Sequence, residues 1–539
     1  MIEDPIPYQN APPRKSLRRW RAAAPQGAGK RSNNHTEAQA GCGAVLDKRQ
    51  PARGDALSQR IARMHAPAAP ATPAAASPSA TASARTKPAF SRNMKMFGCL
   101  LITLSSVTPA SSIFIVVPGV VEQAGSGALI SFAAAAFVSL LTAYVYAELS
   151  SAFPLTGGEY AIVGRTLGPL AGFIVLGVNM VVLLLNIAVV ALGLGSYITA
   201  ILPDTNPVTD ALLCVAFTTL CAILNVRTNA LITGAFLALE LLALTVVTIL
   251  GFVYPARSWV GLVAHPTFLN GAGHLAPAGL GVIGLATSVA IFAFYGYGNA
   301  VYLGEETHDA PRHVARAILW ALVISVVSQA LPLAAALHSA PDLAALFGSD
   351  TMFGDFVRVR GGPGLSVMVN LSVALSIINA DIAVVVLVSR MLFSSGRDRV
   401  WPEAVNRVLV LVHPRFGSPW AATLLTGALA CLLCFVNLQL LLVITGTAVV
   451  VVYGSLCLAV IAGRRTGTTR HALYRMPFYP WPPVLALLVL LYVIYTNVLD
   501  PKTGQPSLVA TAAIIAASAG YYRFVLMRRG AWVLREPEV

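Results

Sequence analysis

The sequence predicts an all-α integral membrane protein of twelve transmembrane helices, built as a five-plus-five inverted repeat whose first and sixth helices are broken. Three observations predict this. Of 539 residues, 56% are hydrophobic and only 11% charged, against about 25% charged in an ordinary soluble domain. The apolar residues gather in stretches close to the roughly 20 that a helix needs to cross the hydrocarbon. Two of these stretches, the first and the sixth, are interrupted near their middles, at SSVTPASS and FAFYGYGN.

Residues 1–92 stand outside this pattern. They carry 15 Lys and Arg against 5 Asp and Glu, so +10 of the net charge of +14 belongs to them. The segment is rich in Ala, Pro and Arg and has no apolar period, which reads as a disordered basic tail. Charge confined to such a tail gives no reason to expect a nucleic-acid partner. No apolar core of about 7 to 15 residues precedes Phe97, so a secretory signal is not expected either. The tail reads as solvated, as touching anionic lipid, or as an extension upstream of a start nearer Met64 or Met94.

From Phe97 the spans run roughly 97–121, 128–152, 168–201, 208–226, 230–254, 279–304, 314–337, 364–394, 419–436, 438–463, 484–500 and 507–528. The domain is thus 93–530, with repeats at about 97–254 and 279–463, extra spans over 484–528, and a short cytoplasmic C-terminus at 531–539. With the basic tail inside, the outer connections hold only Arg257, Arg358, Arg360 and Lys502 of the 37 basic residues. That asymmetry obeys the positive-inside rule and places both termini in the cytoplasm, with the protein in the cytoplasmic membrane. Six cysteines lie in apolar spans and Cys42 in the tail, and the CxxC of Cys431 and Cys434 reads as packing rather than redox or metal chemistry.

The two interruptions are the candidate site. Pro109 sits among hydroxyl residues in the first span, where it removes a helix donor and clashes with the preceding turn. Gly296 and Gly298 lie between aromatic residues in the sixth. Broken backbone at mid-membrane is tolerated only where it lines a protein-enclosed or watery cavity, and paired breaks in corresponding positions of two halves point to an inverted-repeat carrier. Freed N–H groups at a half-helix start can hold a carboxylate, a role that falls to Thr108, Ala110, Ser111 and Ser112. Freed carbonyls can hold an ammonium or cation, a role that falls to Phe292, Ala293, Phe294 and Tyr295. Gly296 gives the backbone room, and Phe292, Tyr295 and Tyr297 could close over a bound amine. The competing readings are helix packing on glycine and hydrogen bonds between helices.

Three stretches, in order, resemble the amino acid-polyamine-organocation permease superfamily. They are YAELSSAFPLTGGEYAIVGRTLG from Tyr146, FAFYGYGNAVYLGEETHDAPRHVARAI from Phe292, and NADIAVVVLVSRMLFSSGRDRVWPEAV from Asn379. The likeness covers about residues 90–530. It implies a five-plus-five inverted repeat in which spans one, three, six, eight and ten line a central pathway, and secondary active transport of amino acids or related amines. Two departures stand out. Where many members carry an acid directly after the glycine-aromatic pair of the sixth span, this chain has Gly298 and then Asn299, and TPASS replaces a glycine-rich break in the first.

Carboxylates inside spans are costly and are functional hypotheses by default. Glu240 stands in the fifth span where some proton-coupled relatives place a lysine. It reads as a coupling-site acid, since an apolar setting disfavours the charged form and lets protonation cycle, or as a packed acid bonded to a neighbouring helix. Asp381, in the eighth span, is a second candidate. Ser372, Ser376 and Asn379 share one face of that helix and line an ion path or make interhelical contacts; Asn179 and Asn186 repeat the seven-residue spacing on the third span, where packing is the expected role. Glu148, Glu159, Glu305 and Glu306 fall at span ends and suit structural and gate contacts. His308 and His313 have no partner set that makes a metal site, and no cofactor is expected.

These readings describe a secondary active transporter of amino acids or small amines working by alternating access, coupled to protons or sodium or running by exchange. Polyamine-type and ethanolamine-type carriers are included. A membrane enzyme would need a phosphate-binding loop, HExxH or nucleophile elbow, and none occurs; a channel would need a filter segment. From the tail's composition, deleting residues 1–85 should leave inserted, transporting protein. Uptake into vesicles by the truncated chain checks this, and loss of insertion or activity would reject the tail as accessory.

Overall fold

A computed structural model describes residues 93–199, 204–271, 273–349, 351–501, 504–530, 532 and 534. The basic tail with Cys42, and nearly all of the C-terminal segment 531–539, lie outside the described residues. Nine helices or helical runs among them are long and apolar enough to cross a membrane, and Pro207–Ala222 and Trp420–Leu433 are apolar but shorter. The longest run, Met96–Ala152, contains α1 (Met96–Val107), α2 (Val117–Ala124) and α3 (Ala128–Ala152), with a turn at Gly125–Gly127. The chain continues through α4 (Glu159–Thr166), α5 (Pro169–Thr199), α6 (Pro207–Ala222), α7 (Val226–Val253), α8 (Leu280–Ala293) and α9 (Ala310–Ser339). It ends with α10 (Pro363–Arg397), α11 (Trp420–Leu433), α12 (Leu438–Thr466), α13 (Trp481–Leu499) and α14 (Gly504–Tyr521).

Helix starts follow from local chemistry. Asn206 accepts from Val208 N at 2.9 Å ahead of Pro207, and Asn225 accepts from Thr228 N at 2.8 Å at the head of α7, satisfying amides that have no partner in the first turn. α10 is the central helix, since every residue from Asn379 to Gly396 is buried, Asp381 and Arg390 included. It packs against α1, α5, α6, α7 and α11.

The first break is a single residue wide. Thr108 takes a left-handed conformation (φ +52°) and gives its N–H to Leu104 O at 3.2 Å. Pro109, with no N–H to lose, opens the next helix, a position proline favours. Bonding resumes with Ser112 N to Thr108 O at 2.8 Å, and a π-helical turn over Ser112–Val116 leads into α2. The second break is longer. α8 stops at Ala293, Gly296 turns at φ +118°, and the chain proceeds as a 3-10 segment, Tyr297–Glu306.

One element was not legible in the sequence. The α7–α8 connection contains an antiparallel hairpin of β1 (Thr267–Leu269) and β2 (Leu275–Pro277), too short to show alternation. It rides on the α2–α3 turn, where a Cβ on Gly125 would stand 2.0 Å from Thr267 O, and Thr267 N donates to Ser126 Oγ at 2.9 Å.

The opposite end is tied by three arginine–glutamate pairs. Arg390 Nε of α10 meets Glu306 Oε1 at 2.5 Å, with both side chains at most 4% exposed. Arg397 meets Glu305 at 2.8 and 3.0 Å, and Arg464 Nε of α12 meets Glu148 Oε1 of α3 at 2.7 Å. The backbone closes the same end, through Met94 N to Glu306 O at 3.1 Å and His308 N to Met94 O at 2.8 Å. Removing one partner of a buried pair leaves an uncompensated charge and costs about 3–5 kcal/mol. Glu306→Gln should therefore lower the melting temperature of the detergent-purified protein sharply, whereas Arg407→Gln, whose partner Glu403 is itself exposed, should leave it nearly unchanged.

Candidate functional site

The two breaks meet each other. A Cβ on Gly296 would lie 2.9 Å from Ser106 O and 3.0 Å from Val107 Cα, so only glycine lets the sixth-span backbone reach the last turn of α1 in this conformation. Ser106 Oγ lies 3.4 Å from Gly296 O and accepts from Asn299 Nδ2 at 3.2 Å. Asn299, directly after the departure at Gly298, thus stitches the two breaks together. An acid at Gly298 would have to displace the Tyr146 ring, which lies 2.5 Å from where its Cβ would be.

Beside the junction lies a cavity of about 20 Å³, room for about one water. Of the residues expected at the site, the structure places Thr108, Ser111, Ser112, Phe292 and Tyr295 at its wall, together with Ser106, Ile115, Asn186, Val189 and Val190. Asn186 carried a signal in its seven-residue spacing from Asn179; the valines of α5 carried none, being like the apolar residues on either side of them. Ala110, Ala293, Phe294, Gly296 and Tyr297 do not line the wall, and neither do Glu240, Ser376, Asn379 and Asp381. Phe294 packs edge-on against Phe132 at 5.4 Å, and Tyr297 Oη meets Thr142 Oγ1 at 2.5 Å. The Phe292 carbonyl, expected to be free, accepts from Tyr295 N at 2.9 Å.

Ala110 is the informative residue. Its N–H, assigned to a substrate carboxylate by the sequence, donates to Glu240 Oε1 at 2.7 Å. Glu240 therefore stands at the start of the resumed helix, where a negative charge is favoured. Its other oxygen, Oε2, has no partner, nor does either polar atom of Asn379 on α10, which stands near enough to act on the Glu240 carboxyl. Ser376, one turn away, meets Ser111 Oγ at 3.2 Å. Asp381 lies elsewhere: its Oδ2 accepts from Cys214 Sγ of α6 at 3.5 Å, away from the cavity wall.

A second acid is wired to the cavity. Glu159, fully buried, accepts from Tyr146 Oη at 3.0 Å and Asn179 Nδ2 at 3.2 Å, while Asn179 Oδ1 accepts from the cavity residue Tyr295 at 3.2 Å. Tyr302 Oη bonds Asn179 as well. Burial pushes the Glu159 carboxyl above the usual carboxylate range, against the donors Tyr302, Tyr146 and Asn179, which pull it down.

A vestibule of about 640 Å³ opens at the hairpin end, opposite the ion pairs. It is walled by α2, α8, α12 and α13, with Phe268, Phe347 and Leu285 among apolar residues and Glu122 and Asp500 among polar ones. Ile115, Val116 and Phe292 line both vestibule and cavity, so these side chains are the partition between them.

A family model described as amino acid permease matches residues 94–518. An uncharacterised transporter of Mycobacterium tuberculosis is 30% identical over 341 residues, 62% of this chain and 72% of its own. A methylthioribose transporter of Bacillus subtilis is 23% identical over 436 residues, 77% of this chain and 88% of its own. A branched-chain amino acid permease of the same organism is 22% identical over 424 residues, 75% and 87% of the two chains.

The Gly296 contact yields a direct expectation. Gly296→Leu should insert into the membrane yet lose substrate binding in the purified protein, since its side chain falls on the Ser106–Val107 backbone. Unchanged affinity would show that the glycine serves packing alone.

Proposed function

The chain belongs to the amino acid permease family, and from that premise we propose that it is a secondary active carrier of amino acids working by alternating access. It is a multi-pass membrane transporter and not an enzyme. The proposal adds twelve spans in a five-plus-five inverted repeat, α13 and α14 as the extra pair, residence in the cytoplasmic membrane with both termini inside, and coupling to protons by symport or exchange. The observation that carries it is the asymmetry about the two breaks. A small cavity lies at their junction, a vestibule shares side chains with it on one side, and three arginine–glutamate pairs tie the other.

In this reading the conformation is closed toward the cytoplasm, with the vestibule leading outward. The resumed helix start at Ala110 receives the substrate carboxylate, while Ser106, Ser111, Ser112, Asn186 and Tyr295 supply polar partners. The apolar part of the wall, Ile115, Val116, Val189, Val190 and Phe292, suits a neutral aliphatic side chain, in keeping with the branched-chain relative. At about 20 Å³ the cavity must widen to admit one. Glu240 is the coupling acid: it touches the carboxylate position itself, whereas Asp381 turns toward α6.

Uptake of amino acids into proteoliposomes should rise with an inward proton gradient and ignore sodium. Glu240→Gln, which mimics the neutral acid, should retain substrate binding and lose accumulation against a gradient. Sodium-dependent uptake that persists in the Gln variant would reject proton coupling through Glu240, and accumulation that survives the change would make the acid structural.

A further inference from the structure

The helix that resumes at Pro109 runs through the π-helical turn to Ala124 without a gap. Its first available amide is Ala110, because Pro109 has none, and that amide is held by a carboxylate of the protein itself, Glu240 Oε1 at 2.7 Å. A satisfied cap would end the matter there. Beside it Glu240 Oε2 and both Nδ2 and Oδ1 of Asn379, all fully buried, make no well-formed hydrogen bond, although Asn379 stands near enough to act on the Glu240 carboxyl. Thr108, Ser111 and Ser112 of the same turn line the cavity, while Ala110, Glu240 and Asn379 stand behind them, off its wall. The place has the donors and the vacant acceptors of a ligand site in which the protein's own carboxylate stands on the anion position.

We propose that Glu240 and the carboxylate of an amino acid take turns at the Ala110 N–H, so that a carboxylate substrate binds only when Glu240 has taken up a proton. The inference rests on the reading of Glu240 as the coupling acid and supplies its mechanism. Two carboxylates at one amide repel each other unless a cation lies between them, and no ion pair to Glu240 exists among the described residues. The elements packed on α7 are α1, the Pro109–Ser111 turn, α9, α10 and the Met352–Gly361 helix. Their titratable groups are Cys99 on α1, Arg312, His313, Arg316 and His338 on α9, Asp381, Arg390 and Arg397 on α10, and Asp355, Arg358 and Arg360 on the last. Asp381 is turned to Cys214, and Arg390 and Arg397 are paired with Glu306 and Glu305.

The exchange balances. One proton from solution adds to a Glu240 oxygen, the charge-assisted bond from Ala110 is given up, and the substrate carboxylate accepts it in its place. One carboxylate stands at the amide before and after, and because the amino acid arrives as a zwitterion the net charge of the site rises by the one proton taken up. Selectivity follows with the opposite sign for ligands lacking a carboxylate: an amino alcohol leaves Glu240 charged on Ala110 and brings an ammonium group toward that charge. Acid pH therefore favours amino acids, and alkaline pH favours their carboxylate-free analogues.

Titration calorimetry on the full-length purified protein between pH 5.5 and 8.5, with L-leucine and L-leucinol as probes, tests this. Leucine should bind with uptake of one proton, read from buffers of different ionisation enthalpy, and its Kd should weaken about tenfold per pH unit once Glu240 is charged. Leucinol should take up no proton and hold or gain affinity as pH rises. Glu240→Gln should flatten the leucine profile at its acid-pH affinity; should that variant fail to fold, the opposed profiles of the two probes on the native protein decide alone. Leucine affinity that is flat with pH, or leucinol following the leucine profile, overturns the exchange even where proton-driven uptake persists, leaving the carrier reading intact. Failure of leucine to bind, together with absence of gradient-driven uptake of any amino acid, overturns that reading and the exchange with it.

Discussion

Lipid offers no hydrogen bonds, so every backbone group freed at mid-membrane must be answered from inside the protein. In this chain the answers are specific. Thr108 turns left-handed so that its own N–H stays on α1, proline removes the next donor outright, and Glu240 reaches across from α7 to take the one after that. At the other break Gly296 turns its carbonyl toward Ser106, which Asn299 also binds. The interruptions are thus joined in a single polar seam, and the cavity lies where that seam meets the apolar face of α5.

The seam is surrounded by contacts of unequal strength. Toward the vestibule only Ile115, Val116 and Phe292 intervene, held by packing. Toward the other end stand buried ion pairs, a backbone strap at Met94, and the Glu159–Asn179–Tyr295 chain that ends on the cavity wall. In the proposed carrier this makes Tyr295 a shared member of two structures, the wall that meets the solute and the polar network beneath it. A displacement of its hydroxyl takes a donor from Asn179, and the network is altered before any ion pair moves.

Much of this was legible in the sequence, because hydropathy and charge asymmetry are forced by the solvent in which the helices sit. The long apolar runs, the interruptions at Pro109 and Gly296, and the cost of Glu240 are visible without coordinates. What was not legible depended on which side a residue faces. On α5 Val189 and Val190 are indistinguishable from their apolar neighbours, and on α10 Asp381 and Asn379 stand out by type but not by direction until the packing turns one to Cys214 and the other to Glu240. The hairpin over Thr267–Pro277 escaped because its three-residue strands owe their pairing to the turn beneath them. Ala110 was named for its freed amide; that the protein would supply its own anion there required the relative placement of two helices 130 residues apart.

The partition formed by Ile115, Val116 and Phe292 has a kinetic consequence. Rotamer changes in partly exposed side chains take picoseconds to nanoseconds, while collective helix motions take microseconds to milliseconds. Parting of these three side chains can be paced by the first kind of event, and opening of the sealed end only by the second. In the proposed carrier, once the cavity has widened, a solute would enter and return to the vestibule many times for each crossing. The vestibule side would sit close to equilibrium with the bulk, and the slow ion-paired end would set the turnover of the cycle.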